Sequence, residues 1–144
     1  MIVFVRGPLT EAAGAAYVAS LRDFLSQCDV VSVHIPLSSA TRHFFSTEQF
    51  AQMKDGARLV NTARGPVVDE SALVAALKSG KLSGAGLDVF DQEPTNNEYL
   101  KQADNVLLQP HTGVRPSLHH SASFSAVTGL MLAFRIVMFG RAIP

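Results

Sequence analysis

The sequence has one cysteine, Cys28, so no disulfide can form within the chain. A reducing compartment, the cytoplasm, is the expectation. There is no excess of either charge: 12 Lys and Arg face 12 Asp and Glu, and charged residues make up 17% of the chain. That balance speaks against an electrostatic nucleic-acid binder, which needs a basic surplus to release counterions. No leader is visible at the start, because MIVFVRGPLT lacks a basic segment followed by a long apolar one. Nor is there a run fit to cross a bilayer, which takes roughly 20 apolar residues. The most apolar stretch, Val127 to Phe139, has 13 residues and includes Arg135. Internal repeats, low-complexity segments and linkers are missing too. What remains is a chain of 144 residues, 47% hydrophobic, which suits one domain with a real core.

Short apolar runs alternate with helical patterns. Ile2–Val5, Asp29–Ile35, Arg58–Asn61, Gly84–Phe90 and Val106–Gln109 read as strands. Leu21–Cys28 reads as a short helix with Leu21, Phe24, Leu25 and Cys28 on one face. A second helix is expected from a Thr47 N-cap through Met53. A third is capped by Asp69 and closed by Gly80. The segment between Pro94 and Ala103 is polar and is expected to be a surface loop, and from Pro116 a long helix is expected to reach Phe139. Alternation of this kind calls for an α/β fold with a doubly wound parallel sheet. DVVSVHI is apolar with little alternation, as befits a strand buried on both faces. Ligands of such sheets sit beyond the carboxyl ends of the strands. Pro36, Thr62 to Gly65, Asp88 to Glu93 and His111 to Gly113 all fall just after strands.

Three motifs carry the chemistry. In LVNTARGPVVDESAL, Leu59 to Leu73, a strand ends and Arg64 projects towards the crevice, where its guanidinium can hold a carboxylate through two parallel hydrogen bonds. In GAGLDVFDQEP, Gly84 to Pro94, the acids Asp88 and Glu93 follow a glycine-containing strand. In LLQPHTG, Leu107 to Gly113, His111 follows a strand and a proline. Several other residues read as structural. His34 suits a packed strand position and Cys28 a small core position. Arg42 and His43 suit the surface or a phosphate. His119 and His120, being adjacent, fall on different helix faces and make no metal pair.

NTARG, GAGLDVF-x-x-EP and PH-x-G together resemble the pattern of the D-isomer-specific 2-hydroxyacid dehydrogenases, and DVVSVHIPLSSATRHFF is similar to a segment of the same family. The resemblance extends from about Ile2 to Pro144. It implies a Rossmann-like domain over residues 1–116 that binds NAD or NADP. Residues 117–144 would form a helix that packs towards a substrate domain. It also implies roles. Arg64 would grip the carboxylate of a small 2-hydroxy or 2-oxo acid. His111 would be the general acid and base, and Glu93 would pair with it and favour its protonated form. Asp88 would stand near the nicotinamide, with Pro36, Leu37, Thr62, Ala63 and Gly113 lining the cofactor cleft.

The sequence departs from that family in one respect: it contains no GxGxxG. The resemblance therefore implies an incomplete Rossmann-like domain, without the first strand, the phosphate turn or the substrate domain. Arg6 falls where the family places an acid on the adenosine ribose, which favours NADP. The exposed apolar helix implied at the end of the chain suggests a homodimer. Two functions stay open: an oxidoreductase domain acting on 2-hydroxy or 2-oxo acids, or an inactive remnant that serves as an interaction module.

Overall fold

The computed structural model describes residues 2–3, 16–109 and 111. Its centre is a four-stranded, wholly parallel sheet in the order β3-β4-β5-β6. The strands are β3 (Val30–Val33), β4 (Ala57–Asn61), β5 (Leu82–Leu87) and β6 (Val106–Leu108). A separate parallel pair joins β1 (Ile2–Val3) to β2 (Ala16–Tyr17). Four α-helices lie among the described residues: α1 (Leu21–Gln27), α2 (Thr47–Gln52), α3 (Glu70–Lys78) and α4 (Glu98–Gln102). This is the α/β architecture that the alternating pattern foretells. The helix expected from Pro116, along with Phe4, Val5, Arg6 and Gly113, lies outside the described residues.

Burial explains the parallel pairing. Consecutive residues Leu59, Val60 and Asn61 are all buried in β4, as are Gly84 to Leu87 in β5. Successive side chains point to opposite faces, so both faces of these strands are covered. On α3, Ala72, Leu73, Ala76 and Leu77 are buried, a helical stripe one turn apart. Asp69 starts that helix by accepting from the backbone N–H groups of Ser71 and Ala72. Gly80, at φ +75°, closes it in the left-handed conformation that glycine adopts without strain. Leu25, Phe50, Leu59, Leu73, Leu82 and Leu100 join one core.

Three local features differ from the sequence reading. Ser46, not Thr47, is the N-cap of α2, and Gln49 Oε1 accepts from both its N–H and its hydroxyl. The polar segment after Pro94 contains the short helix α4, which buries Leu100 under a hydrogen bond from the Leu100 N–H to the Asn97 side chain. The Arg64-Gly65 turn continues into one turn of 3-10 helix, Gly65–Val67.

Candidate active site

Val33, Asn61, Leu87 and Leu108 are partners across the sheet in one row. Each is the last residue of its strand, so the four chains leave the sheet along a single edge. That edge is where ligands bind in open parallel sheets. The segments beginning at His34, Thr62, Asp88 and Gln109 all emerge there.

After β4, the buried Asn61 side chain accepts from the Ala63 N–H at 3.1 Å and donates to the Arg64 carbonyl at 3.1 Å. Gly65 follows, packed against backbone. A Cβ on it would lie 1.8 Å from the Phe90 carbonyl oxygen, so no other residue fits without moving the chain. This close approach sets Arg64 beside the loop that follows β5. Arg64 itself is exposed, and its Nη1 donates to the Ala63 carbonyl at 2.6 Å.

After β5, the Asp88 N–H extends the ladder to the Asn61 carbonyl, and Asp88 is only 3% exposed. The loop then folds back on itself. Glu93 Oε1 accepts from the Phe90 N–H at 3.1 Å, and Glu70 Oε1 accepts from the Asp91 N–H at 2.7 Å. The second oxygen of Glu93 meets His111 Nδ1 at 2.8 Å. His111 sits at φ +50°, a left-handed conformation uncommon for a residue with a side chain. The hydrogen bond from His111 is the main cause that holds the Glu93 carboxyl below the usual carboxylate range. Partial burial opposes it, and the Phe90 N–H and the charges of His111 and Arg64 assist it. A cavity of about 630 Å³ opens beside the pair, lined also by Phe90, Pro94, Thr95, Leu108 and Gln109.

After β3, Pro36 and Leu37 are exposed, and the buried Thr41 fixes their turn. Its hydroxyl donates to the Pro36 carbonyl and accepts from the Ser38 N–H, both at 2.7 Å. Thr62 and Ala63 are half-buried at the end of the neighbouring strand. His34 lies just past β3, half-buried, with Nε2 2.7 Å from the Ser32 hydroxyl and Nδ1 3.5 Å from that of Thr62. Burial lowers its pKa. Cys28 is in the core, and Arg42 and His43 are exposed.

The structure thus brings Arg64, Glu93 and His111 to one edge, with Asp88, Thr62, Ala63, Pro36 and Leu37 along it. Gly113 and Arg6 lie outside the described residues. Sequence reasoning placed Gly65 after a strand without its packing role, and passed over Asn61, Thr41 and Glu70. Their contribution is contact with backbone, and only the position of Asn61 and Gly65 inside the NTARG motif hinted at it.

Residues 2–113 match the D-isomer specific 2-hydroxyacid dehydrogenase, NAD binding domain. A glyoxylate reductase of Thermococcus litoralis is 41% identical over 133 residues, covering 91% of this chain and 38% of its own. The apo crystal structure of Rhodotorula graminis D-mandelate dehydrogenase superposes with a TM-score of 0.71 at 45% identity, covering 75% of this chain and 31% of that one. A D-isomer specific 2-hydroxyacid dehydrogenase of Xanthobacter autotrophicus, solved in complex with NADPH and MES, gives a TM-score of 0.64 at 43% identity, covering 68% of this chain and 32% of that one. The chain spans between 25% and 38% of the length of eight curated relatives that it matches.

Proposed function

We propose, since this chain belongs to the D-isomer specific 2-hydroxyacid dehydrogenase family through its NAD binding domain, that it carries the acid-gripping and proton-transferring part of an oxidoreductase. The substrate would be a small 2-hydroxy or 2-oxo acid, the class named in glyoxylate reductase and D-mandelate dehydrogenase. The observation that carries this reading is the Glu93–His111 contact of 2.8 Å on the sheet edge that also bears Arg64.

The nicotinamide half of a dinucleotide fits the residues present. Pro36 and Leu37 offer an exposed apolar rim, Thr62 and Ala63 a half-buried floor, and Asp88 a carboxyl group at the end of β5. The sequence holds no GxGxxG to cradle a pyrophosphate. NAD or NADP, when bound, supplies the two-electron redox chemistry. Arg64 fits the substrate carboxylate, because its planar fork offers two parallel donors. With Nδ1 engaged by Glu93, His111 has Nε2 to give a proton to the 2-oxo oxygen and to take it back in oxidation. Glu93 fixes the ring and balances the imidazolium that the reaction needs. Gly113 belongs by its motif to the cofactor cleft. Arg6 inclines the chain towards NADP, in keeping with the NADPH complex of the Xanthobacter relative.

The alternative is an interaction module without turnover. A homodimer through the apolar stretch Val127 to Phe139 fits either reading, and sedimentation across a concentration series tests it. The deciding experiment grafts the chain in place of the matching residues of the Thermococcus reductase. NADPH or NADH oxidation is then followed with glyoxylate and hydroxypyruvate. Turnover in the chimaera, lost in His111→Ala and absent from the 144-residue chain alone, is the expected result. Equal turnover with and without His111 would overturn the assignment.

A further inference from the structure

We infer that Asn61 is a positioning residue that sets the aim of Arg64, an inference that rests on the reading of Arg64 as the substrate's carboxylate anchor. Asn61 ends β4 and is 1% exposed. A buried primary amide must satisfy both its donor and its acceptor. Asn61 spends both on the three-residue turn beyond it. Its Oδ1 accepts from the Ala63 N–H and its Nδ2 donates to the Arg64 carbonyl, each at 3.1 Å. The two bonds bracket the peptide between Ala63 and Arg64 and hold it as a rigid loop. That fixes where the Arg64 side chain leaves the backbone.

Two further contacts show that this is more than a local turn. The Asn61 carbonyl accepts from the Asp88 N–H at 3.0 Å, so the same residue ties the Arg64 turn to the start of the Glu93 loop. On the far side of Arg64, Gly65 is pressed against the Phe90 and Asp91 backbone. Arg64 is therefore held on both flanks, while its own side chain stays exposed to reach a ligand. No other polar side chain among the described residues bonds the Arg64 carbonyl.

A carboxylate at position 61 can still accept from Ala63 but cannot donate to Arg64. Asn61→Asp should therefore loosen the turn at neutral pH without changing its shape. Protonation of that carboxyl would restore a donor.

The test uses the chimaera and the chain itself. In the chimaera, Asn61→Asp should raise KM for glyoxylate about tenfold, the worth of roughly one hydrogen bond, with kcat less affected. The ratio of variant to parent KM should shrink as the pH is lowered. Titration with NADPH should give the same affinity in variant and parent. In the chain itself, hydrogen exchange of the Ala63 amide should quicken in Asn61→Leu, which removes both bonds and keeps the volume. If Asn61→Asp folds and its KM matches the parent, the inference falls. A KM increase that merely tracks lost melting temperature, and is reproduced by Val33→Ala, overturns it as well. Arg64→Ala separates the two levels. If it leaves KM for the acid unchanged, the reading of Arg64 itself fails. If it raises KM while Asn61→Asp does not, only the positioning role fails.

Discussion

The two ends of the parallel sheet use polar residues in opposite ways. At the amino end, charges meet in solvent: Lys54 with Asp29 at 2.8 Å and Lys81 with Asp55 at 2.7 Å. Asp29 and Asp55 are almost wholly exposed there. At the carboxyl end, the polar groups turn inward upon backbone. Asn61, Thr41 and Asp88 are all buried there; Asn61 bonds the turn that leaves β4, and Thr41 bonds the turn that follows β3. Exposed pairs are held loosely, because solvent screens them and two long side chains lose freedom. Buried bonds to backbone fix a geometry and are costly to break. One end of the sheet is stitched, and the other is aligned.

The largest effect that would sharpen the contrast is catalytic. In the chimaera, His111→Ala should lower kcat by about 10²–10⁴, the usual worth of a general acid and base. Arg64→Lys should rescue little, since an ammonium cannot reproduce the fork. Steady-state kinetics with glyoxylate decide this, and a Lys variant with parental kcat/KM would break the proposed role of Arg64.

Next in size is a pair of glycines, one from each end. Gly65→Ala drives a methyl into the Phe90 backbone and should cost about 3 kcal/mol, near the top of the range for overpacking. Gly56→Ala meets nothing within 4 Å but must hold φ +76°, for a loss of about 1 kcal/mol. Urea denaturation of both variants measures the difference. Equal losses would erase the distinction between the two ends.

Smaller again is the response to acid. The pKa of His34 is lowered by burial, so the folded chain binds fewer protons than the unfolded one below the ordinary value of 6.5. Its contribution is present above that pH and is lost as the pH falls through the folded value. Glu93 is lowered from 4.5, chiefly by the His111 hydrogen bond, so its contribution has the same sign in a lower window. Urea midpoints against pH should decline in two stages. His34→Gln should flatten the upper one, and Glu93→Gln should lessen the lower one, to which Asp69 also contributes through its bonds to Ser71 and Ala72. The smallest effect belongs to the amino end, where Lys54→Ala with Lys81→Ala should leave the melting temperature almost unmoved.

Much of the frame was legible because it rests on local chemistry. Apolar runs gave the four strands of the main sheet, and Asp69 and Gly80 marked the ends of α3 through their own conformational preferences. The strand at Ala16–Tyr17 escaped notice, since AAGAAYV carries little of the β-branched bulk that announces a strand. The helix at Glu98–Gln102 escaped because five residues burying only Leu100 make no apolar stripe. In the site, Arg64, Glu93 and His111 came from motif order, while their convergence depends on strand register. Thr41 and Glu70 were invisible as function, and Asn61 was marked only by its place in NTARG, because a bond to backbone leaves no spacing pattern in a sequence.

The common row in which the four strands end is a datum from which every loop of the site is measured. A residue inserted into β4 must either slip the strand, turning buried positions outward, or advance Arg64 by about 3.3 Å. Precise constellations tolerate displacements of only about 0.5 Å. A residue inserted between Thr95 and Asn97, beyond both Glu93 and the row, would be absorbed by a surface connection. Length is therefore rigidly constrained in the strands and in the bonded turns that carry Arg64 and Glu93, and free in the surface connection near Asn96. New pocket shapes are open to this scaffold through its loops, while its strands must keep their count.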